Sequence, residues 1–334
     1  MSVSGLEIPR IRIGSAFESL VDWAVSNLAG LFDGVAVVVE AIEEGIATFF
    51  ATPSIIVFGI VCGLIGLGLR NWKIGVAALV AGVVVAQIAA LTGFPPEFLF
   101  IIGFAVLAWV VRSWKFAVLS LLGFVLIAAM GQWTNSMDTL SLVLVAGLLA
   151  VLLSIPIGVL AGVSPLVRRI VSPVLDFMQT MPAFVYLIPA VSLYGIGPTP
   201  GIVATVIFAM PPGVRLTSLG IQQVDPEVVE AGESFGSSPS RILTRIQLPL
   251  ALPTIMAGIN QVIMLSLSMV VIAGMVGAGG LGAEVYGALT GGQPALGFEA
   301  GLGVVILAMY LDRVTNALAS RAKVVRAQQL AAER

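Results

Sequence analysis

At 334 residues, 58% hydrophobic and only 10% charged, the chain falls far below the roughly 25% charged residues of soluble domains, which excludes a water-soluble globular protein. A net charge of −2 with no basic cluster excludes a phosphate-binding surface and hence nucleic acid as a partner. The absence of histidine excludes His-based metal ligation, His-containing triads and a His proton relay, and the single cysteine, Cys62, excludes a disulfide framework.

The first residues, MSVSGLEIPRIRIG, lack the apolar core of a signal peptide. Residues 15–50 then predict an amphipathic helix. Phe17, Leu20, Ala24, Leu28, Leu31, Val35, Val39, Ile42, Ile46 and Phe49 recur at steps of three or four, while Glu18, Asp22, Asp33, Glu40 and Glu44 occupy the other side. So many acids are costly in lipid, so this helix is expected along the membrane interface, as a scaffold on the bundle or as a regulatory element.

Nine apolar stretches follow, at 52–70, 74–92, 94–112, 114–132, 139–161, 176–195, 199–214, 255–277 and 300–318, each near the ~20 residues that cross a bilayer. The pair around 176–214 is short and interrupted by Pro182, Pro189, Pro198, Pro200, Pro211 and Pro212, breaks that are tolerable where a wet cavity satisfies the freed backbone. Arg70 and Lys73, Arg112 and Lys115, Arg168 and Arg169, the 215–245 segment and the C-terminal tail place Lys and Arg in alternate loops, while 93–97, 132–138, 195–201 and 277–299 hold none. The basic loops and the C-terminus are therefore expected in the cytoplasm. Nine spans then put the N-terminus outside, against which Arg10 and Arg12 argue mildly. The chain reads as an all-α polytopic membrane helix bundle with four parts: an N-terminal tail and amphipathic helix (1–50), additional membrane helices (51–132), a core domain (133–320) carrying a cytoplasmic loop (215–254), and a short tail (321–334).

That loop is the one long polar stretch, with the grammar of two short helices. Asp225 caps the first, Pro226 takes its first position, Glu227 sits at its positive end and Gly236 supplies a left-handed end. Ser238 and Pro239 start a second, Arg241 to Gln247, which is expected to end before Pro249. Glu227, Glu230, Glu233, Arg241 and Arg245 with Val228, Val229, Phe235 and Ile242 as anchors suit a docking surface; a solvated connector reads equally well.

Within it, Glu230-Ala231-Gly232, Gly236 and Ile246-x-Leu248-Pro249 resemble the EAA motif of ATP-binding-cassette importer permeases (type I), with Gly232 in place of the motif's second Ala. LDFMQTMPAFVYLIPAV (175–191), VIFAMPPGVRLTSLGI (206–221), the 247–286 segment and LDRVT (311–315) look like the glycine betaine/proline-type osmoprotectant permeases of bacterial inner membranes. The resemblance covers most of 15–315 and least the hairpin 52–92. It implies a translocation subunit that pairs with a second copy of itself, two cytoplasmic ATPase subunits that bind ATP and Mg, and a separate extracytoplasmic substrate-binding protein. It further implies that Glu230, Ala231, Gly232, Gly236, Arg241, Arg245, Ile246, Leu248 and Pro249 couple to the ATPase. No Walker A pattern occurs, and no Lys lies between 116 and 322, so the chain itself is expected to bind no ATP, metal or other cofactor and to be non-catalytic.

Gly277-Ala-Gly279-Gly280-Leu-Gly282 formally matches the dinucleotide fingerprint, but it follows a membrane helix on the external side and is expected to be a flexible loop or gate element. Small residues at four-residue spacing, Gly59/Gly63 and Gly274/Ala278, suit close helix packing. Among polar and bulky residues in or beside spans, Gln179, Met181, Phe184, Tyr186, Met210, Asn260 and Ser268 are candidates for a translocation path, or for interhelical contacts without substrate; Asp176 is expected to pair with Arg168 or Arg169. Aromatic recognition of a quaternary ammonium belongs, on the resemblance, to the binding protein. Two other functions compete: a secondary transporter or channel for a small zwitterion, which predicts paired mid-depth charges that the spans essentially lack, and an osmosensing scaffold worked by the N-terminal helix.

Overall fold

A computed structural model describes residues 13–51 and 97–321; the apolar stretches at 52–70 and 74–92, with Gly59/Gly63, lie outside them. The described residues form twelve α-helices: α1 (Ile13–Ala51), α2 (Glu97–Val111), α3 (Trp114–Ala129), α4 (Trp133–Val163), α5 (Pro165–Thr180), α6 (Ala183–Tyr194), α7 (Pro198–Gln222), α8 (Pro226–Ser234), α9 (Pro239–Ile242), α10 (Leu248–Ala273), α11 (Gly280–Thr290) and α12 (Pro294–Arg321). No strand is present among them.

Four differences from the sequence expectation have plain physical causes. The stretch at 176–195 is not one span: α5 and α6 meet at 100°, because Pro182 follows Met181, whose extended backbone (φ −75°, ψ 133°) ends the helix as a residue before proline tends to. The stretch at 199–214 runs on to Gln222, since Pro198 and Pro200 sit at the helix start, where no N–H is needed, and Pro211-Pro212 are buried inside α7. The polar loop therefore shrinks to 223–247. Finally, the expected stop before Pro249 does not occur: a π-helical turn over Leu243–Gln247 carries α9 into α10, forming one 38-residue rod, Pro239–Val276. A widened turn absorbs the missing N–H and ring bulk of Pro249.

The centre of the bundle is α7, packed along both α4 and α10. Glycines set the distance. A Cβ on Gly158 of α4 would lie 2.5 Å from the Thr217 Cβ and 2.7 Å from the Val214 carbonyl oxygen of α7, and one on Gly213 of α7 would lie 2.5 Å from the Ser154 Oγ. Gly158 and Gly162, four apart, are the small-residue pair that brings these backbones together. Gly274, by contrast, packs on the backbone of Gly282 and Ala283 in the first turn of α11.

The α2–α3 hairpin attaches through aromatic rings. Phe104 stacks on Phe124 (4.5 Å) and meets Tyr310 of α12 edge-on (5.5 Å), whose hydroxyl donates to the Phe104 carbonyl (3.1 Å).

Helix α1 is long and apolar enough to cross a membrane by length and composition, yet its contacts run sideways. Phe32 meets Tyr194 at the end of α6, Glu40 accepts from Thr199 Oγ1 at the start of α7 (2.8 Å), the Glu43 carbonyl accepts from Ser141 Oγ of α4 (3.4 Å), and Phe49 and Phe50 pack on Phe100 in the first turn of α2. Over some 27 Å of helix these partners stay at the end of the bundle whose loops lack Lys and Arg. The second half of α1 therefore straps the outer ends of the helices, and Glu40 faces the bundle rather than solvent alone. The first half, beyond the non-helical Leu28 (φ −118°), leaves Phe17, Leu20 and Trp23 exposed, positioned for an interfacial apolar layer.

Candidate functional site

The 223–247 segment is built as two arms. Asp225 accepts from the Glu227 N–H (2.9 Å) and Pro226 opens α8. At the far end Gly236 has φ +72°, its N–H donates to the Glu233 carbonyl (2.8 Å), and the Ser237 N–H donates to the Gly232 carbonyl (3.1 Å). This is the paired closure of a Schellman end, which needs a residue comfortable at positive φ. Ser238 is the N-cap of α9 as expected, through its carbonyl, which accepts from Arg241 and Ile242; its hydroxyl makes no cap bond.

The arms close on each other at Gly232. It is buried, and a Cβ there would sit 2.9 Å from Ile246 Cδ1 and 3.5 Å from Ile242 Cγ1. Ile242 is thus a buried hinge contact, not an outward anchor, and Val229 is half-buried; Phe235 (89% exposed) and Val228 remain available. Glu230, Ala231, Arg241 and Arg245 are exposed, while Ile246, Leu248 and Pro249 are half-buried where the second arm enters the membrane rod. Gly232→Ala meets only the free end of an isoleucine and gains up to about 1 kcal/mol of helix propensity, so the variant is expected to melt no lower than the parent and to keep its activity. Gly232→Leu is expected to separate the arms and lower both, as thermal unfolding of the purified proteins would report.

The proposed path residues do not form one cluster. Tyr186 is buried, with its hydroxyl donating to the Met178 carbonyl across the α5–α6 bend and its ring edge-on to Phe208 of α7 (5.8 Å); with half-buried Met181 it locks that bend. Gln179 and Phe184 are exposed and Met210 is half-buried. Ser268 is exposed, and its hydroxyl donates back to the Met264 carbonyl (3.1 Å). Asn260 faces α12: its amide donates to Asp312 (3.3 Å) and accepts from Thr315 Oγ1 (2.6 Å), while Asn316 also donates to Asp312 (2.7 Å). Asn260 and Ser268 thus do not act together, and Asp312 is an acid in a span whose charge is spent on two amides.

The Gly277–Gly282 segment is not a loose loop. The Leu281 N–H donates to Thr139 Oγ1 of α4 (2.8 Å), and Cβ atoms on Gly274 and Gly282 would lie 2.3 Å from backbone atoms. Gly282 packs on the Val271 backbone of α10 and Gly280 on Thr139 of α4, while nothing lies within 4 Å of a Cβ on Gly279.

Sequence reasoning missed a polar patch at the end of the bundle whose loops carry Lys and Arg. Arg168, Ser172 and Asp176 of α5 face Arg215, Ser218 and Gln222 of α7 across a cavity of about 360 Å³. Asp176 pairs with Arg215, not with Arg168 or Arg169. Arg168 instead donates to the Ala161 carbonyl (3.2 Å) and to Gln222 (2.5 Å). The signal was present as polar positions at i, i+4, i+8 in one helix and i, i+3, i+7 in the other.

Known proteins place this architecture. The family described as binding-protein-dependent transport system inner membrane component matches residues 154–324. The glycine betaine transport system permease protein OpuAB of Bacillus subtilis is 44% identical over 309 residues, covering 92% of this chain and 95% of that protein. The glycine betaine/proline betaine transport system permease protein ProW of Escherichia coli is 41% identical over 303 residues, 89% of this chain and 72% of that one. Among solved structures, an inward-facing MetNI methionine ABC transporter superposes with a TM-score of 0.52 at 22% identity, over 56% of this chain and 93% of that chain, a likeness of fold alone. With the family's own core spanning half the sequence and a relative matched nearly end to end, the chain belongs to the binding-protein-dependent transport system inner membrane components, as a multi-pass permease subunit.

Proposed function

We propose that the chain is the translocation subunit of an ATP-driven importer for glycine betaine, proline betaine or a similar compatible solute. Relatives named for those solutes support the cargo. The coupling is carried by one observation: the second arm of the 223–247 segment is continuous with a membrane helix through Gln247 and Pro249. A push on α8 and α9 from the cytoplasm is therefore applied to a rod that packs along α7, and can bias the bundle between two packings. In this reading two copies of the permease assemble with two ATPase subunits, which hold ATP and Mg, and an extracytoplasmic binding protein delivers the cargo. Glu230, Ala231, Arg241, Arg245 and Phe235 face the ATPase, Gly232 and Gly236 shape the arms, and Ile246, Leu248 and Pro249 join them to the rod. The chain performs no covalent step.

The test is uptake of labelled glycine betaine by vesicles carrying the permease, its ATPase and its binding protein. Accumulation that requires ATP and all three components is expected; uphill accumulation by the permease alone would overturn the proposal in favour of a secondary transporter.

A further inference from the structure

The cavity between α5 and α7 has an unbalanced lining. Two guanidinium groups, Arg168 and Arg215, face one carboxylate, Asp176, so the site carries a net positive charge. Arg168 spends Nε on the Ala161 carbonyl and one Nη1 bond on Gln222, and Arg215 spends one on Asp176. Each guanidinium offers five N–H groups, so most of these donors have no acceptor among the described residues. Gln222 is itself fixed by donating to Ser218 Oγ (2.7 Å) and the Ser218 carbonyl (3.1 Å), which holds Arg168 at the cavity wall. Preorganised, under-used forks of this kind match a carboxylate. Asp176, on the same wall, supplies a counter-charge for the cationic end of a zwitterion.

We propose that this cavity is a cytoplasmic exit site for the cargo, taking a small zwitterion by its carboxylate on Arg168 and Arg215. The inference rests on the functional reading above and adds where the solute pauses before release. The site is weak by construction. Arg215 and Asp176 are 43% and 64% exposed, so water screens the attraction, and a passage must release what it receives. The net positive lining also disfavours a cation that lacks the carboxylate.

The experiment uses the full complex of permease, ATPase and binding protein in vesicles, reading labelled glycine betaine transported per ATP hydrolysed. Arg168→Gln and Arg215→Gln are expected to lower that ratio about tenfold, the loss of one charge-assisted hydrogen bond. Arg215→Lys, which keeps the charge beside Asp176, recovers part of it. Arg169→Gln removes an equal charge from an exposed position that does not line the cavity and is expected to stay within about twofold, the effect usual for a surface charge. Unchanged ratios in both glutamine variants would overturn the site. So would a defect that disappears in vesicles of phosphatidylcholine alone, which would assign the arginines to anionic lipid headgroups. Failure of the unmodified complex to take up betaine would instead overturn the functional reading.

Discussion

Glu230→Lys is expected to leave the permease folded and inserted while abolishing ATP-driven uptake. Glu230 is exposed on α8, so reversing its charge breaks no contact of the fold. The whole effect must then appear at whatever covers that surface. A charge reversed at the centre of an interface costs at least about 2 kcal/mol, or roughly thirtyfold in affinity, so the ATPase should no longer co-purify with the membranes. Gly236→Val reaches the same outcome by another route. The surroundings of Gly236 are open, with nothing within 4 Å of a Cβ, but its φ is +72°, where a β-branched residue is strained. The turn relaxes, α8 is re-aimed, and the surface is presented at the wrong angle. Gly236→Ala should be milder, at about 1–2 kcal/mol. Normal uptake and ATPase recruitment by Glu230→Lys would remove the docking role from this loop.

How far the sequence could be read depended on whether a feature was local. The α8 caps, Asp225 and Gly236, are decided within a turn of the chain, and they were legible. The π-helical turn before Pro249 was not. Proline normally ends a helix, and only the closure of Gly232 on Ile242 and Ile246, with the membrane rod beyond, makes continuing more favourable than stopping. The break at Pro182 was expected, but its 100° angle depends on Tyr186 reaching back to Met178 and across to Phe208. Asn260 and Ser268 share a helix face by spacing, yet which neighbour that face meets is a tertiary fact, and α12 claims Asn260. Asp176 could be expected to pair with an arginine, but the partner 39 residues away on α7 was hidden by the more local choice. The interfacial reading of α1 came from its acids, whereas its place across the outer helix ends came only from Tyr194, Thr199 and Ser141.

A large loss of stability at the centre of the bundle is expected for Gly158→Ala, a change of one methyl group. The new carbon would approach Thr217 Cβ to 2.5 Å, Thr217 Cγ2 to 2.9 Å and the Val214 carbonyl oxygen to 2.7 Å. Rotation of the Thr217 side chain could move Cγ2, but its Cβ and the Val214 carbonyl are fixed by the α7 backbone, so α4 and α7 must separate along the face they share. Overpacking of this kind costs about 1–3 kcal/mol where neighbours yield, and the upper end is expected here because backbone opposes backbone. Thr217→Ala gives an internal control. The Thr217 hydroxyl is buried with no hydrogen-bond partner among the described residues, so removing it relieves an unsatisfied polar group and should be close to neutral alone. In the double variant Gly158→Ala/Thr217→Ala only the 2.9 Å contact with Cγ2 disappears, because alanine keeps the Cβ at 2.5 Å and the clash with the Val214 carbonyl persists, so little of the lost stability should return. Thermal unfolding of the detergent-solubilised proteins measures all three. A Gly158→Ala protein that melts with the parent would mean that α4 and α7 do not cross at this distance, and a double variant restored to the parent would locate the cost in the Thr217 methyl group rather than in the Cβ and carbonyl that the backbone fixes.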